Sequence, residues 1–205
     1  MIIAVLADEQ LKQEFLRKKC AAEVDVIWAD SIRSLGIIEA DAYFDLMFRN
    51  EPGRVARLQS LLAAPVFVNA VTHTTAQIGA PFIRINAWPT MLERESTEYS
   101  TDSPNDAEKA NAILSKMGWK ALWVPDTTGM VTPRIVAMII NEAWFAVAEK
   151  VSTKEQIDSA MKLGTSYPYG PFEWGEKIGM DRVKELLKAL RRSDPRYTVA
   201  PGLAE

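Results

Sequence analysis

The feature that most constrains this chain is an alternation of short apolar runs with amphipathic helical patterns as far as Val124, after which only helical patterns remain. Ile2 to Ala7 is continuously apolar, as a strand buried on both faces of a parallel sheet requires. Asp8 then stands where a helix N-cap is wanted, and Leu11, Phe15 and Leu16 recur at helical spacing with Lys12, Glu14, Arg17 and Lys18 on the wet side. The pattern predicts strands at 24–28, 42–48, 66–71, 81–88 and 120–124, with helices near 31–38, 54–63 and 107–117. Parallel strands joined by helical crossovers make an α/β open sheet. Residues 96–105, Ser-Thr-Glu-Tyr-Ser-Thr-Asp-Ser-Pro-Asn, are polar and turn-rich and read as a surface loop.

Beyond Asp126 the expectation is all-α, with the boundary near 126–130 and domains at 1–127 and 128–205. Pro133 suits the first turn of a long, strongly apolar helix from Arg134 to about Lys150. Ser152-Thr153-Lys154-Glu155 is a capping-box sequence for the next helix, with Ile157, Ala160, Met161 and Leu163 inward and Gly164 ending it. Val183, Leu186, Leu187 and Leu190 define another. Between these two lies Tyr167 to Asp181, in which two prolines, three glycines and four aromatics predict a rigid corner that buries its rings. On residue chemistry alone this corner is a packed loop within one helical domain, a subunit contact or a family signature.

A chain of 205 residues with 48% hydrophobic and 25% charged residues has material for one sizeable core or two small ones. Its formal charge of -3 argues against nucleic-acid or membrane-surface binding, which calls for a basic face. The one cysteine, Cys20, has no disulfide partner, and no Cys/His cluster suggests a metal. The opening apolar run is too short for a signal-peptide core, and the apolar stretch at 135–148 is interrupted by Asn141 and Glu142. The expected location is cytoplasmic.

Several elements fall in one order: Thr128-Gly129-Met130-Val131-Thr132-Pro133-Arg134, Ile140-Asn141-Glu142-Ala143, Ile157-Asp158, Met161-Lys162-Leu163-Gly164, Pro168-Tyr169-Gly170-Pro171-Phe172-Glu173 and Ile178-Gly179-Met180-Asp181. The series resembles the C-terminal helical domain of the 3-hydroxyacyl-CoA dehydrogenases over roughly residues 126–192. The form at 167–179 looks most like the second such domain of the tandem 3-hydroxybutyryl-CoA dehydrogenases, where a shortened Rossmann-like segment precedes it. The resemblance implies a reduced Rossmann-like open parallel sheet followed by a helical domain. It also implies NAD on the sheet domain, and a helical domain that forms a dimer interface and one wall of an acyl-CoA cleft.

Each functional position of the family departs from its pattern in this chain. The NAD site needs a glycine-rich turn after the first strand, and Ala7-Asp8-Glu9-Gln10-Leu11-Lys12 has no glycine and two carboxylates. NAD is therefore not expected in its usual pose, and no other cofactor is expected. Asp30, after the second strand, stands where a ribose-binding acid or a helix cap would. The family's catalytic histidine falls in Asn86-Ala87-Trp88-Pro89, so Asn86 takes its position without a basic nitrogen. Glu93 or Glu98 occupies the region of the glutamate that orients it, and the family asparagine past the boundary falls on Pro133. The chain's one histidine, His73, follows a predicted strand beside Thr72 and Thr74; it is either the remaining chemical candidate or a structurally satisfied loop residue. Asn141 and Glu142 are expected to bond neighbouring backbone in or near an interface.

Three functions follow as expectations. One is a dehydrogenase-like protein of acyl-CoA metabolism that neither binds NAD nor catalyses alone and acts as a homodimer or hetero-oligomer through its helical domain. A second is an active component working with an NAD-bearing partner, or with a site rearranged around His73. The third is a non-catalytic module with an acyl-CoA ligand.

Overall fold

The computed structural model describes residues 1–204, which divide into two compact units, Met1–Met130 and the residues from Val131 on. The first unit contains β1 (Ile2–Leu6), α1 (Glu9–Lys18), β2 (Asp25–Ala29), α2 (Ile32–Leu35), β3 (Ala42–Asp45), α3 (Pro52–Gln59), β4 (Val66–Val68), α4 (Thr75–Ile78), β5 (Ile83–Ile85), β6 (Ser96–Ser100), α5 (Pro104–Lys116) and β7 (Lys120–Trp123). The strands form one seven-stranded sheet in the order β2-β1-β3-β4-β5-β6-β7. Neighbours from β2 to β5 pair parallel, β6 runs antiparallel to β5, and β7 is parallel to β6. This is the expected α/β open sheet, with one strand more than the sequence suggests.

That extra strand, β6, corrects the expected surface loop over 96–105. Its last four residues are buried, and Tyr99 is fully inside one core while its hydroxyl donates to the Ala107 carbonyl at 3.4 Å. The strand is polar because its other face meets polar groups: Ser100 pairs with Arg84 across the antiparallel ladder, and Glu98 faces Asn86. Hydrophobic periodicity cannot reveal a strand whose buried partners are themselves polar.

A core lies on each face of the sheet. Phe15 of α1 packs edge-on to Trp28 and Phe44, with ring centroids 5.4 and 6.4 Å away, and Phe44 stacks on Phe67 at 4.4 Å. Ala110, Ile113 and Leu114 of α5 complete that side. Opposite, Ala4, Leu6, Val66 and Val68 meet Leu35, Val55, Leu58 and Ile78 from α2, α3 and α4.

The second unit is helical: α6 (Thr132–Ala148), α7 (Lys154–Thr165), α8 (Pro171–Ile178), α9 (Met180–Arg191), a 3-10 turn (Pro195–Tyr197) and α10 (Pro201–Ala204). Pro133 lies in the first turn of α6, where its missing N–H costs nothing. The capping box of α7 is one residue later than expected, pairing Thr153 with Gln156. The helix runs past Gly164 to Thr165 and ends at Ser166 with φ 56°. Nor does α7 bury the residues expected to face inward: Leu163 is 84% exposed, Ala160 is exposed, and Ile157 and Met161 are half-buried. An amphipathic pattern marks which residues share a face, but a neighbour must be present to cover it.

The stretch at 167–181 is more helical than the expected corner. Pro171 opens α8, Gly170 and Gly179 flank it and Gly175 lies within it, and Phe172, Trp174 and Ile178 are buried in the unit. Phe172 meets Trp144 of α6 edge-on at 5.3 Å, and Tyr167 and Tyr169 each lie 6.1 Å from Trp174. Lys154 sits 4.0 Å over the Trp144 ring, so its aliphatic stem and charge cover the aromatic pair from outside.

Candidate functional site

In an open α/β sheet, ligands approach the carboxyl ends of the strands, and the turn from β1 into α1 is where a dinucleotide pyrophosphate sits. Here that turn is closed by the chain itself. Asp8 is the N-cap of α1, and its Oδ1 accepts the Leu11 amide at 2.8 Å. Glu9 follows in the first turn, its carboxylate accepting the Gln13 side-chain amide at 2.7 Å. The helix N-terminus, which in a nucleotide site offers free amides and positive potential, already holds one carboxylate and has a second beside it. A dinucleotide does not fit this turn in its usual pose. At the end of β2, Asp30 is engaged locally: Ser34 Oγ donates to its Oδ1 at 2.6 Å, which together with Ser31 holds its carboxyl below the usual range. The cap of α2 is Ser31, so Asp30 supports the cap rather than forming it.

The clearest geometric constellation is at the end of β5. Asn86 continues the β5–β6 ladder, its amide donating to the Glu98 carbonyl at 3.0 Å. Their side chains meet too, with Asn86 Nδ2 donating to Glu98 Oε2 at 3.1 Å; both residues are buried. The sheet thus selects Glu98, not Glu93, as the carboxylate opposite position 86. Glu93 instead forms an ion pair with Arg17 on α1. Asn69, after β4, ties these strand ends together: its Nδ2 donates to the Leu46 and Ala87 carbonyls at 3.1 and 2.9 Å, and its Oδ1 accepts the Ala87 amide at 3.1 Å. A carboxamide at 86 can donate and accept hydrogen bonds, but it cannot take up a proton at neutral pH as an imidazole does.

Two buried charged groups outside the sequence-based candidates brace this edge. Arg84 is fully buried and forms an ion pair with Asp126, while its other nitrogens donate to the carbonyls of Ala70, Val71 and Thr127. Desolvation lowers the Arg84 pKa, and the Asp126 carboxylate opposes that shift. An arginine inside the apolar run Phe82-Ile83-Arg84-Ile85 was the available signal, because a charge placed there needs a buried partner. The second is Glu14, on the α1 face toward the segment that follows Asn86. Its Oε1 accepts the Thr90 amide at 2.8 Å, its Oε2 is buried without a partner, and burial pushes its carboxyl up. Thr90 itself has φ 75°, a left-handed conformation that this contact helps to hold.

His73 lies between β4 and α4, with Nδ1 3.0 Å from Thr72 Oγ1, immediately before the α4 N-cap Thr74. In the helical unit, Asn141 is buried; its Nδ2 donates to the Thr198 carbonyl at 2.8 Å and its Oδ1 accepts the Ala200 amide at 2.9 Å. It therefore anchors the segment before α10 to α6, whereas Glu142 is exposed. Among the described residues there is no cluster of three or more His, Cys, Asp or Glu suited to a metal ion, and no helix is long and apolar enough to cross a membrane.

The glycine-proline stretch shows its constraint at Gly170. The Asp158 carboxylate of α7 accepts the Phe172 and Glu173 amides at 2.8 and 3.1 Å, capping α8 from a neighbouring helix. A Cβ on Gly170 would lie 2.3 Å from Asp158 Cγ. Only a residue without a side chain allows that approach.

Residues 129–204 match the model of the 3-hydroxyacyl-CoA dehydrogenase C-terminal domain. The chain is 43% identical over 90 residues to 3-hydroxyadipyl-CoA dehydrogenase of Escherichia coli (strain K12), covering 43% of this chain and 19% of that protein. It is 34% identical over 139 residues to a probable 3-hydroxybutyryl-CoA dehydrogenase of Bacillus subtilis (strain 168), covering 66% and 48%. The chain carries a 3-hydroxyacyl-CoA dehydrogenase C-terminal domain over residues 129–204. It spans less than half the length of these curated relatives. The fold agrees with that of (S)-3-hydroxybutyryl-CoA dehydrogenase from Ralstonia eutropha, with a TM-score of 0.75 over 99% of this chain and 92% of that one at 17% identity.

Proposed function

We propose that this 3-hydroxyacyl-CoA dehydrogenase family chain does not transfer hydride by itself. It acts in the cytoplasm, in acyl-CoA and fatty-acid metabolism, through assembly of its helical unit as a homodimer or within a hetero-oligomer. The observation that carries the reading is the Asp8 cap: its carboxylate already takes a helix-terminal amide at the turn that would cradle a pyrophosphate. Asn86 supports it independently, because the side chain it offers Glu98 is a carboxamide without a basic nitrogen. The helical unit, by contrast, keeps Gly170, Asp158 and their cap intact.

The test is to mix the purified chain with NADH and acetoacetyl-CoA, follow NADH absorbance, and titrate each ligand calorimetrically. The expected result is no turnover and no NADH binding heat. Robust turnover that disappears on Asn86→Ala overturns the proposal. Binding heat with acyl-CoA alone converts it to a non-catalytic acyl-CoA-binding module.

A second reading is favoured by the retained, sheet-positioned Glu98: an active component that works with an NAD-bearing partner chain. It predicts turnover only when a chain with an intact glycine-rich turn is added, and loss of that turnover on Glu98→Gln.

A further inference from the structure

The sheet of the first unit ends in two edge strands, β2 and β7, and they are finished differently. Around β2, Glu23, Asp25 and Asp30 are exposed, three carboxylates of the kind that keep an edge from pairing with another chain. The edge at β7 has no such guard. Its one charged residue, Lys120, lies 3.0 Å from Glu95 of the same chain, and Asp126 beyond its end is paired with Arg84. Leu122 and Trp123 are 46% and 52% exposed, on opposite faces of the strand. The backbone is open as well. Val124 donates its N–H to the Tyr99 carbonyl at 2.9 Å, and successive residues of a strand turn their N–H and C=O groups to opposite sides. Leu122 therefore faces β6, while Ala121 and Trp123 aim theirs at the open edge.

Register and charge say what fits this edge. A strand set against its own copy by a two-fold axis runs antiparallel. With the axis at Leu122, Ala121 exchanges both backbone hydrogen bonds with the partner subunit's Trp123, and Trp123 does so with the partner subunit's Ala121, so every edge-facing group of the strand is used. An axis at Ala121 would set Trp123 against the partner subunit's Trp119, and the Trp119 N–H already goes to the Leu114 carbonyl at 2.8 Å. An axis at Trp123 would set Ala121 against the partner subunit's Pro125, which has no N–H. In the register at Leu122 the large Trp123 also lies beside a small alanine on one face, and Leu122 meets its own copy on the other. Charge selects the same occupant. Lys120 and Asp126 are matched within the chain, so a second such edge approaches without repulsion, whereas an acidic or basic segment finds no opposite charge to meet. We infer that a second copy of this chain pairs its β7 with this one, antiparallel about a two-fold axis at Leu122, joining the two sheets into one. The contact lies on the sheet unit and is separate from the helical assembly proposed above. Strands this short make a small contact, of the weak and reversible class below about 1,200 Å².

The experiment is sedimentation velocity on the full chain over a wide range of concentrations, with circular dichroism as the folding control. Wild type is expected to show a concentration-dependent association step. Leu122→Lys and Leu122→Glu should each weaken that step by at least about tenfold, because the axis sets the new charge against its own copy. Mixing the two variants should restore it, since lysine then meets glutamate. If a charge at 122 disturbs folding, Ala121→Pro decides: proline is tolerated on an edge strand, removes only an N–H that points away from the sheet, and should abolish the step. A dimer formed by the helical unit survives all three changes, so the two contacts are read separately. Association untouched by Leu122→Lys and Ala121→Pro overturns the β7 contact and leaves the helical assembly standing. A mixture that fails to restore the step overturns the two-fold register. A wild type that stays monomeric at every concentration overturns the inference outright.

Discussion

Replacing Gly170 by alanine tests whether the start of α8 is held by a cap that crosses from one helix to the next. The backbone there is extended, with φ -69° and ψ 161°, so alanine meets no conformational objection. The objection is Asp158: its Cβ, Cγ and Oδ1 would lie 2.3–2.4 Å from the new methyl group, and the crowded atoms include the root of the side chain as well as its tip. The carboxylate must withdraw and give up the amides of Phe172 and Glu173. Loss of a carboxylate cap costs about 1–2 kcal/mol, and leaving two amides short of a charged acceptor puts Asp158→Ala near the top of that range, about 2 kcal/mol. Gly170→Ala should cost about 2–3 kcal/mol, the cap plus residual crowding. Because both act through the same contact, the double variant should lie within about 1 kcal/mol of Asp158→Ala alone. The assay is urea denaturation followed by tryptophan fluorescence, which reports Trp144 and Trp174 beside the cap. Costs that simply add would show that Gly170 is constrained by something other than Asp158 and would refute the argument.

Three other outcomes follow from the sheet unit. Glu14 holds its proton more tightly folded than unfolded because burial raises its pKa, so its contribution to stability is full at low pH and is lost as pH rises from the ordinary carboxylate range through the folded value. Glu14→Gln should therefore flatten the pH dependence of the urea midpoint over that interval, and a profile unchanged from wild type would show that Glu14 is not the group responsible. Arg84→Leu should destabilise by about 3–5 kcal/mol, since it strands Asp126 and three backbone carbonyls, and a loss below about 1 kcal/mol in urea titration would contradict the buried-pair account. Asn86→His places an imidazole opposite Glu98 but leaves Asp8 in the β1–α1 turn, so no NADH oxidation should appear; turnover from this single change would mean that the Asp8 cap does not exclude the cofactor.

The apolar runs of β1, β3, β4 and β5 were legible because each sits in an apolar core, where composition and burial say the same thing; the edge strands β2 and β7 were legible from composition although Ile27, Leu122 and Trp123 are exposed. The strand β6 was not, since Glu98 and Ser100 are buried against Asn86 and Arg84, and a strand facing polar partners looks like a loop in isolation. Of the candidate site, the sequence already shows that the turn after β1 holds Asp8 and no glycine and that position 86 is an asparagine. Which glutamate stands opposite Asn86 was not legible, because Glu93 and Glu98 are both near in sequence and only strand register separates them.

The helical unit divides the same way. The sequence by itself determined α6, α7 and α9 and their order, because periodicity and caps are local properties, and it showed the glycine at 170, but it read α8 as a corner. It could not supply the reason for that glycine, which lies twelve residues away in the Asp158 carboxylate, nor reveal that α7 leaves Ala160 and Leu163 in water and only half-buries Ile157 and Met161. Those are statements about what fills the space beside a residue, and only the tertiary structure, by bringing distant segments together or leaving them apart, decides them.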